Sequence, residues 1–340
     1  MEYKIALMYG DGVGPELVTA TTSLLRSVGF DPEYVTIEGG LEFQRRTGSP
    51  LSGNAFELIK ESDAMLKGPV ATPSGPDSFQ SINVQIRKSF DLYVNFRPFR
   101  SLVTSKHPLV DILMFRENTE EAYSGIEWGS DSASVGLRII TRKASERIAE
   151  YAFNHARKNH RKTITVVHKA TILKETDGLF RNAFFSIASN YPDLEASEIL
   201  VDAAAYQLVR DPERFDTIVT PNSYGDILSD LIAGIVGSLG LCGSANIGDH
   251  YAVFEPAHGT AWDLANKDVA NPTGMILSAV YMLQWLGESK SDSFLLRIAS
   301  EVEKSTICIL NRPLLTKELG GTASLSEFMR EIERELDERL

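Results

Sequence analysis

Two aspartates four residues apart, Asp226 and Asp230, stand in the stretch SYGDILSDLIAGIVG. On a helix that spacing places both on one face, about 6 Å apart between Cβ atoms. Two like charges there repel unless a cation sits between them, and oxygen donors without Cys or His suit Mg²⁺ or Mn²⁺ rather than zinc. The same spacing also describes a solvated helix face near the positive end of the dipole. Asp202, twenty-four residues earlier at the head of VDAAAYQLV, could supply a third carboxylate.

A second grouping is basic. Between Ser81 and Arg116 there are six Lys or Arg (87, 88, 97, 100, 106 and 116) against two Asp, in a chain whose net charge is -12. The run is either an anion site or an ordinary solvated face. FRENTEEAYSGIEW brings a phenol, Tyr123, close in sequence to Arg116; either could be structural, and with the basic stretch they suggest an anion site with a phenol nearby. In VHKATILKETDG, Lys169 follows a buried-looking strand. It either snorkels to solvent or, partly desolvated, becomes a proton acceptor. FEPAHGTA (His258, Gly259, Thr260, Ala261) reads as an ordinary loop or as a turn suited to a ligand lying against backbone. YGDGVGP near the N-terminus lacks the G-x-G-x-x-G spacing and reads as a tight turn from strand to helix.

These groups need elements to hold them. Strand-like runs at Ile5–Met8, 35–37, 65–66, 112–115, 164–167 and Thr217–Thr220 alternate with helical patterns at about 15–28, 54–61, 292–310 and 324–340. That alternation is the mark of an α/β protein. Ser324-x-x-Glu327 is a capping-box pattern. The polar stretch GIEWGSDSAS before VGLRIIT could be a projecting arm, with VGLRIIT as a strand. A chain of 340 residues builds one large or two ordinary domains. A sequence pI near 5.1 argues against nucleic-acid binding. No apolar run approaches a membrane span. The N-terminus enters a strand at once, leaving no room for a signal sequence, and two isolated cysteines suit a reducing cytoplasm.

Taken in order, YGDGVGPE, LKGPVATP, SINVQIRKSFDLYVNFRP, FRENTEEAYSG, VHKATILKETDG, SYGDILSD, SANIGD, FEPAHGTA and ANPTGMILSA resemble the β-decarboxylating dehydrogenases of isocitrate, 3-isopropylmalate and homoisocitrate over almost the whole chain. The resemblance implies a two-domain α/β fold with a mixed sheet that is not a standard Rossmann fold. A large domain would combine 1–99 with 252–340, and a small domain, 100–251, would carry the dimer arm. It implies a homodimer with shared active sites, the partner supplying Lys169 and Asp202 to each. Substrate would be held by Ser81, Asn83, Arg87, Arg97 and Arg116. NAD would be held by Thr72, His258, Gly259, Thr260, Ala261, Asp263 and Asn271, and Mg²⁺ or Mn²⁺ by Asp202, Asp226 and Asp230. Lys169 would take the hydroxyl proton, and Tyr123 would reprotonate carbon after carbon dioxide leaves. Lys88 and Arg100 match no such role and read as solvated.

Within that family, the S-x-N-x-x-x-R arrangement from Ser81 to Arg87 resembles the isocitrate enzymes. A hydroxyl and an amide can bond a third carboxylate, whereas an isopropyl group would leave them unpaired at ~1–3 kcal/mol each if buried. The expected reaction is therefore NAD-dependent oxidative decarboxylation of isocitrate. Homoisocitrate or 3-isopropylmalate as substrate, or a non-catalytic regulatory subunit, are the alternatives. Asp263, where NADP-using relatives commonly carry lysine, points to NAD, since a carboxylate bonds the ribose hydroxyl and repels a 2′-phosphate. Thr171 replaces a usual Asn and Trp262 a usual Pro.

Overall fold

The computed structural model describes residues 2–75, 78–103 and 107–340, so Lys106 of the basic run lies outside the described residues. Among the described residues the strands are β1 (Lys4–Met8), β2 (Glu33–Thr36), β3 (Ala64–Lys67), β4 (Val94–Arg100), β5 (Asp111–Glu117), β6 (Glu127–Gly129), β7 (Ser134–Gly136), β8 (Thr163–His168), β9 (Glu195–Leu200), β10 (Thr217–Thr220), β11 (Gly243–Ile247) and β12 (Ala252–Pro256). The helices are α1 (Gly14–Ser27), α2 (Leu41–Thr47), α3 (Ala55–Lys60), α4 (Ile82–Ser89), α5 (Arg142–Lys158), α6 (Thr176–Ala188), α7 (Val201–Arg210), α8 (Asn222–Val236), α9 (Thr273–Lys290), α10 (Ser293–Leu310) and α11 (Leu325–Asp337).

Ten strands form one mixed sheet in the order β2-β1-β3-β12-β11-β4-β5-β10-β8-β9. Pairing is parallel toward both edges and antiparallel across the centre, where β12, β11, β4 and β5 meet. Both faces of the sheet are covered, and the period-2 alternation of a strand assigns its side chains between them. Ile5 and Leu7 of β1 enter the main core, whereas Ala6 and Met8 join a smaller core with Ile82 and Ile86 of α4. This is the α/β fold with a mixed sheet that the motif order implies.

The same alternation sets up the site. On β4, Asn95 and Arg97 face one way and Phe96 the other. In the β4–β5 register Asn95 lies opposite Arg116 and Phe96 opposite Phe115. The two arginines therefore share one face while the two phenylalanines stack on the reverse, centroids 5.3 Å apart. Pro98 lies inside β4, and its missing donor makes this segment read poorly as a central strand.

One expectation needs correction. VGLRIIT does not continue as a strand: Ser134–Gly136 pairs with Glu127–Gly129 in an exposed two-stranded arm, and Ile139 makes only an isolated bridge to Glu121. The chain turns there because Thr141 caps α5, its hydroxyl accepting from Ala144 N at 3.2 Å. Lys88 and Arg100 are exposed, as their solvated reading expects, with Lys88 donating to the Ser124 carbonyl at 2.9 Å and Arg100 pairing with Glu303 at 2.8 Å. The capping box at Ser324 and Glu327 forms as its spacing predicts.

Candidate active site

Asp226 and Asp230 project from α8, one turn apart, beside Arg97 and Arg116. Arg116, 1% exposed, forks onto the helix: Nε and Nη2 donate to Asn222 Oδ1 at 2.9 and 2.7 Å, and Nη1 donates to Asp226 Oδ1. Gly225 is required here, since a Cβ would collide with the Arg116 side chain. Arg97 Nη1 donates to Ser229 at 2.6 Å and lies 3.6 Å from Asp230; its Nη2 is 3.9 Å from Asp226. Tyr123 donates its hydroxyl to Asp226 Oδ2, and the Arg116 guanidinium lies 5.0 Å from the Tyr123 ring centroid.

The electrostatics follow from this crowding. Burial, reinforced by the Arg97 cation, lowers the Arg116 pKa to about 10, which leaves it charged at neutral pH. Burial would raise the Asp226 carboxyl, but Arg116 and the Tyr123 hydrogen bond outweigh it and hold it below its ordinary value. Burial pushes the Tyr123 phenol up, against the pull of Arg116 and with the Asp226 hydrogen bond adding to the rise, so it keeps its proton. Asp230 is raised by burial and by neighbouring Asp226, with Arg97 opposing. Asp226, kept ionised by its arginine, and Asp230 on the same helix are oxygen donors of the kind a hard divalent cation takes.

The Tyr123 loop is shaped by acids. Glu117 accepts from Thr119 N and Glu120 N, Glu120 accepts from Thr141 N at 2.7 Å, and Glu121 accepts from Ser223 N at 3.1 Å, in the first turn of α8.

Arg87 reaches the same region from α4 and lies 3.4 Å from Glu255. Nε of both Arg87 and Arg97 is buried without a partner, as is Oδ1 of Asn83 one turn before Arg87 on α4. Buried polar atoms left unpaired in a cleft are the places where a polar ligand completes the bonding. Ser81 is the N-cap residue of α4, and its side chain makes no capping bond.

A buried network behind Arg87 escaped the sequence reading. Lys67 pairs with Glu255 at 2.6 Å, and Asn246 donates to the same carboxylate at 2.9 Å. Asn95 and Asn118 in turn donate to Asn246, each at 2.9 Å. Burial alone would raise Glu255, but Lys67 and Arg87 overcome it and bring its pKa to about 2. Lys67 and Glu255 lie inside LKGPVATP and FEPAHGTA, and their pairing across the sequence carries no local signal.

Lys169 and Asp202 lie elsewhere. Within this chain they pair with each other, and Asp202 does not join Asp226 and Asp230. Among the described residues no three His, Cys, Asp or Glu come together as a metal site. Lys169 follows β8, and its backbone N donates at 2.6 Å to Asp177, a fully buried carboxylate.

The HGTA loop packs against the N-terminal turn. Val13 N donates to Thr260 O at 2.9 Å, and a Cβ at Gly12 (φ +60) would overlap that carbonyl oxygen. The glycines of YGDGVGP thus serve a close approach of backbones. Asp11 organises this end by accepting from Leu41 N, Glu42 N and Ala71 N, the last beside exposed Thr72. His258 Nδ1–H donates to Gly259 O at 2.8 Å, so Nε2 is an acceptor, and it has no partner. Ala261 has positive φ, Asp263 and Trp262 are exposed, and Asn271 Oδ1 accepts from Thr273 N at the start of α9. An unpaired acceptor beside open, polar backbone fits a nucleotide cofactor with ribose or adenine donors.

Comparison with known proteins bears on the same residues. The family model for isocitrate/isopropylmalate dehydrogenase matches residues 4–332. A 3-isopropylmalate dehydrogenase from Methanothermobacter thermautotrophicus is 41% identical, over 98% of this chain and 99% of its own. An isocitrate/homoisocitrate dehydrogenase from Thermus thermophilus is 42% identical, over 96% and 97%. Other similar proteins also bear the name 3-isopropylmalate dehydrogenase. Isocitrate is therefore not singled out, and the alternative within the family fits these names better. The crystal structure of isocitrate dehydrogenase from Methylococcus capsulatus superposes with a TM-score of 0.91 at 38% identity, covering 98% of this chain and 99% of that one. The motifs, the mixed sheet and the matched length agree: this chain belongs to the isocitrate/isopropylmalate dehydrogenase family, the dehydrogenases that oxidise and decarboxylate 2-hydroxy acids.

Proposed function

We propose that this protein oxidises and decarboxylates a malate bearing a substituent at C3, with NAD as hydride acceptor and Mg²⁺ or Mn²⁺ bound. The observation that carries the reading is the set of buried arginines, Arg87, Arg97 and Arg116, beside Asp226, with the Nε donors of Arg87 and Arg97 unpartnered. Guanidinium forks bind carboxylates bidentately and remain charged at working pH. The cleft would lie between a lobe of 1–99 with 252–340 and a lobe of 100–251.

For the C3 substituent, the names of the relatives favour 3-isopropylmalate, with homoisocitrate named only together with isocitrate. Isocitrate is the second reading, and it rests on donors that could meet a carboxylate substituent, the Ser81 hydroxyl, which makes no capping bond, and the Asn83 amide N–H. NAD over NADP rests on exposed Asp263, which can accept from a ribose hydroxyl and would repel a 2′-phosphate.

In the proposed mechanism Arg87, Arg97 and Arg116 fix the carboxylates. Asp226 and Asp230, with Asp202 from a second subunit, would hold the cation, which would supply Lewis-acid stabilisation of negative charge on the substrate oxygens. Lys169 of the second subunit accepts the proton of the substrate 2-hydroxyl, with NAD as the hydride acceptor the reaction would need. Tyr123 donates its phenolic proton to the carbon that lost carbon dioxide. A dimer accounts for the apolar side chains left open on the arm and on α7 and α8, including Trp128 (59% exposed), Tyr206, Val209 and Ile227 (70% exposed). No helix among the described residues is long and apolar enough to cross a membrane, and both cysteines are free.

The deciding experiment measures initial rates of NADH formation with Mn²⁺ or Mg²⁺ on 3-isopropylmalate, homoisocitrate and isocitrate side by side, repeating the best acid with NADP. Turnover of any of the three supports the reaction class, and their ranking decides the substituent. Binding of all three without turnover would leave a regulatory subunit as the better account.

A further inference from the structure

Arg138, in the short link between the arm and α5, lies between two carboxylates that do not otherwise meet. Its Nη2 is 2.9 Å from Glu121 Oε1 and 2.9 Å from Asp177 Oδ1, at ion-pair distance rather than as aligned hydrogen bonds. Those carboxylate side chains are 2% and 0% exposed. Its Nη1 donates to the Tyr224 hydroxyl at 2.9 Å, and the guanidinium lies 4.5 Å from that ring's centroid, which pins it against α8. Neither carboxylate has another Lys, Arg or His within ion-pair distance among the described residues. A buried carboxylate deprived of its cation must protonate or move.

Each carboxylate shapes a different loop. Glu121, held at φ +70, is two residues before Tyr123 and binds Ser223 in the first turn of α8. Asp177 accepts from the backbone N of Lys169. We propose that Arg138 is a positioning residue that holds two proton-transfer groups at once: Tyr123 through Glu121, and Lys169 through Asp177. The inference rests on the shared-site reading above, in which Tyr123 serves its own subunit's site and Lys169 the other. One guanidinium would then set the geometry of both active sites of the dimer. A displacement near 1 Å at such a group can cost on the order of a hundredfold in rate.

The test uses hybrid dimers purified through two different tags, one subunit carrying Asp226→Asn and the other Lys169→Met. Each parent homodimer is expected to be inactive. With shared sites, the hybrid keeps one intact site, made of Tyr123 and Asp226 from one subunit and Lys169 from the other, and recovers about half the wild-type rate. Arg138→Gln is then added to one subunit at a time. Added beside Asp226→Asn it can reach the surviving site only through the Lys169 side; added beside Lys169→Met, only through the Tyr123 loop and the first turn of α8 that Glu121 and Tyr224 tie to it. In both positions kcat should fall about tenfold, with KM changed less than about twofold, because the substrate clamp is untouched. Arg138→Lys, which keeps the charge, should recover part of the loss in both positions, and it carries the test if Arg138→Gln fails to fold. An effect confined to one position, or loss in KM alone, overturns the double role while shared sites stand. No recovery in the starting hybrid overturns the shared-site reading and this inference together.

Discussion

The Tyr123 hydroxyl donates to one oxygen of Asp226 while Arg116 occupies the other. The proposed proton donor and the proposed metal ligand are thus joined before any ligand arrives, and burial keeps the phenol protonated. Tyr123→Phe removes the proton and little bulk. Its kcat should fall by about 10²- to 10⁴-fold, the usual span for a lost general acid. Substrate KM should stay within a few-fold, and the decarboxylated product should be lost first. Steady-state rates with product analysis check this; equal losses through binding alone would count against the role.

Asp226→Asn keeps the shape but deletes the charge that Arg116, Tyr123 and a cation share. Activity should vanish, and no concentration of Mn²⁺ or Mg²⁺ should restore it. Wild-type protein treated with a chelator should lose activity and regain it on adding either metal. A variant that stays active and resists chelation would sink the metal assignment.

Lys67→Met leaves buried Glu255 with the Asn246 hydrogen bond and, as its cation, only the more distant Arg87. Breaking such a pair typically costs about 3–5 kcal/mol, so urea unfolding at pH 7 should show a loss of that order. The pH dependence has a definite sign. Glu255 titrates near 2 in the fold against an ordinary 4.5. The stability it contributes is present above pH 4.5 and is lost as pH falls toward 2. The gap between wild type and Lys67→Met should therefore narrow over that window.

His155 sits among rings on the reverse of the sheet, 4.9 Å from Phe96 and 5.2 Å from Phe115, and burial lowers its pKa from 6.5 to about 4. The fold holds the neutral ring, so its stability is complete above pH 6.5 and declines as pH falls toward 4. His155→Phe should flatten that part of the stability profile, measured by urea unfolding between pH 7 and 4.5. An unchanged slope would mean that other groups govern the acid limb.

Much of the framework is legible in the chain. β10 and α8 lie where the apolar runs and the Asp pair indicate, and the Ser324 cap forms as its local pattern requires. Such features depend on neighbours a few residues away, and the sequence carries those directly. β4 was hidden, because Arg97 and Pro98 break an apolar strand pattern and proline argues against a central strand; the structure accommodates Pro98 where the pairing with β11 has already ended at Phe96.

By itself, the sequence determined which groups can do chemistry here: the arginines, the phenol, the lysine and the paired aspartates, in an order that places the chain in its family. Only the tertiary structure decided which of them meet. Arg97 and Arg116 share a face because two antiparallel strands align them, and Lys67 finds Glu255 across 188 residues of sequence. Asp202 stays with Lys169, away from Asp226 and Asp230. Burial did the rest, for a carboxylate's partners in a low-dielectric interior set its charge, and no local pattern of residues encodes who those partners are.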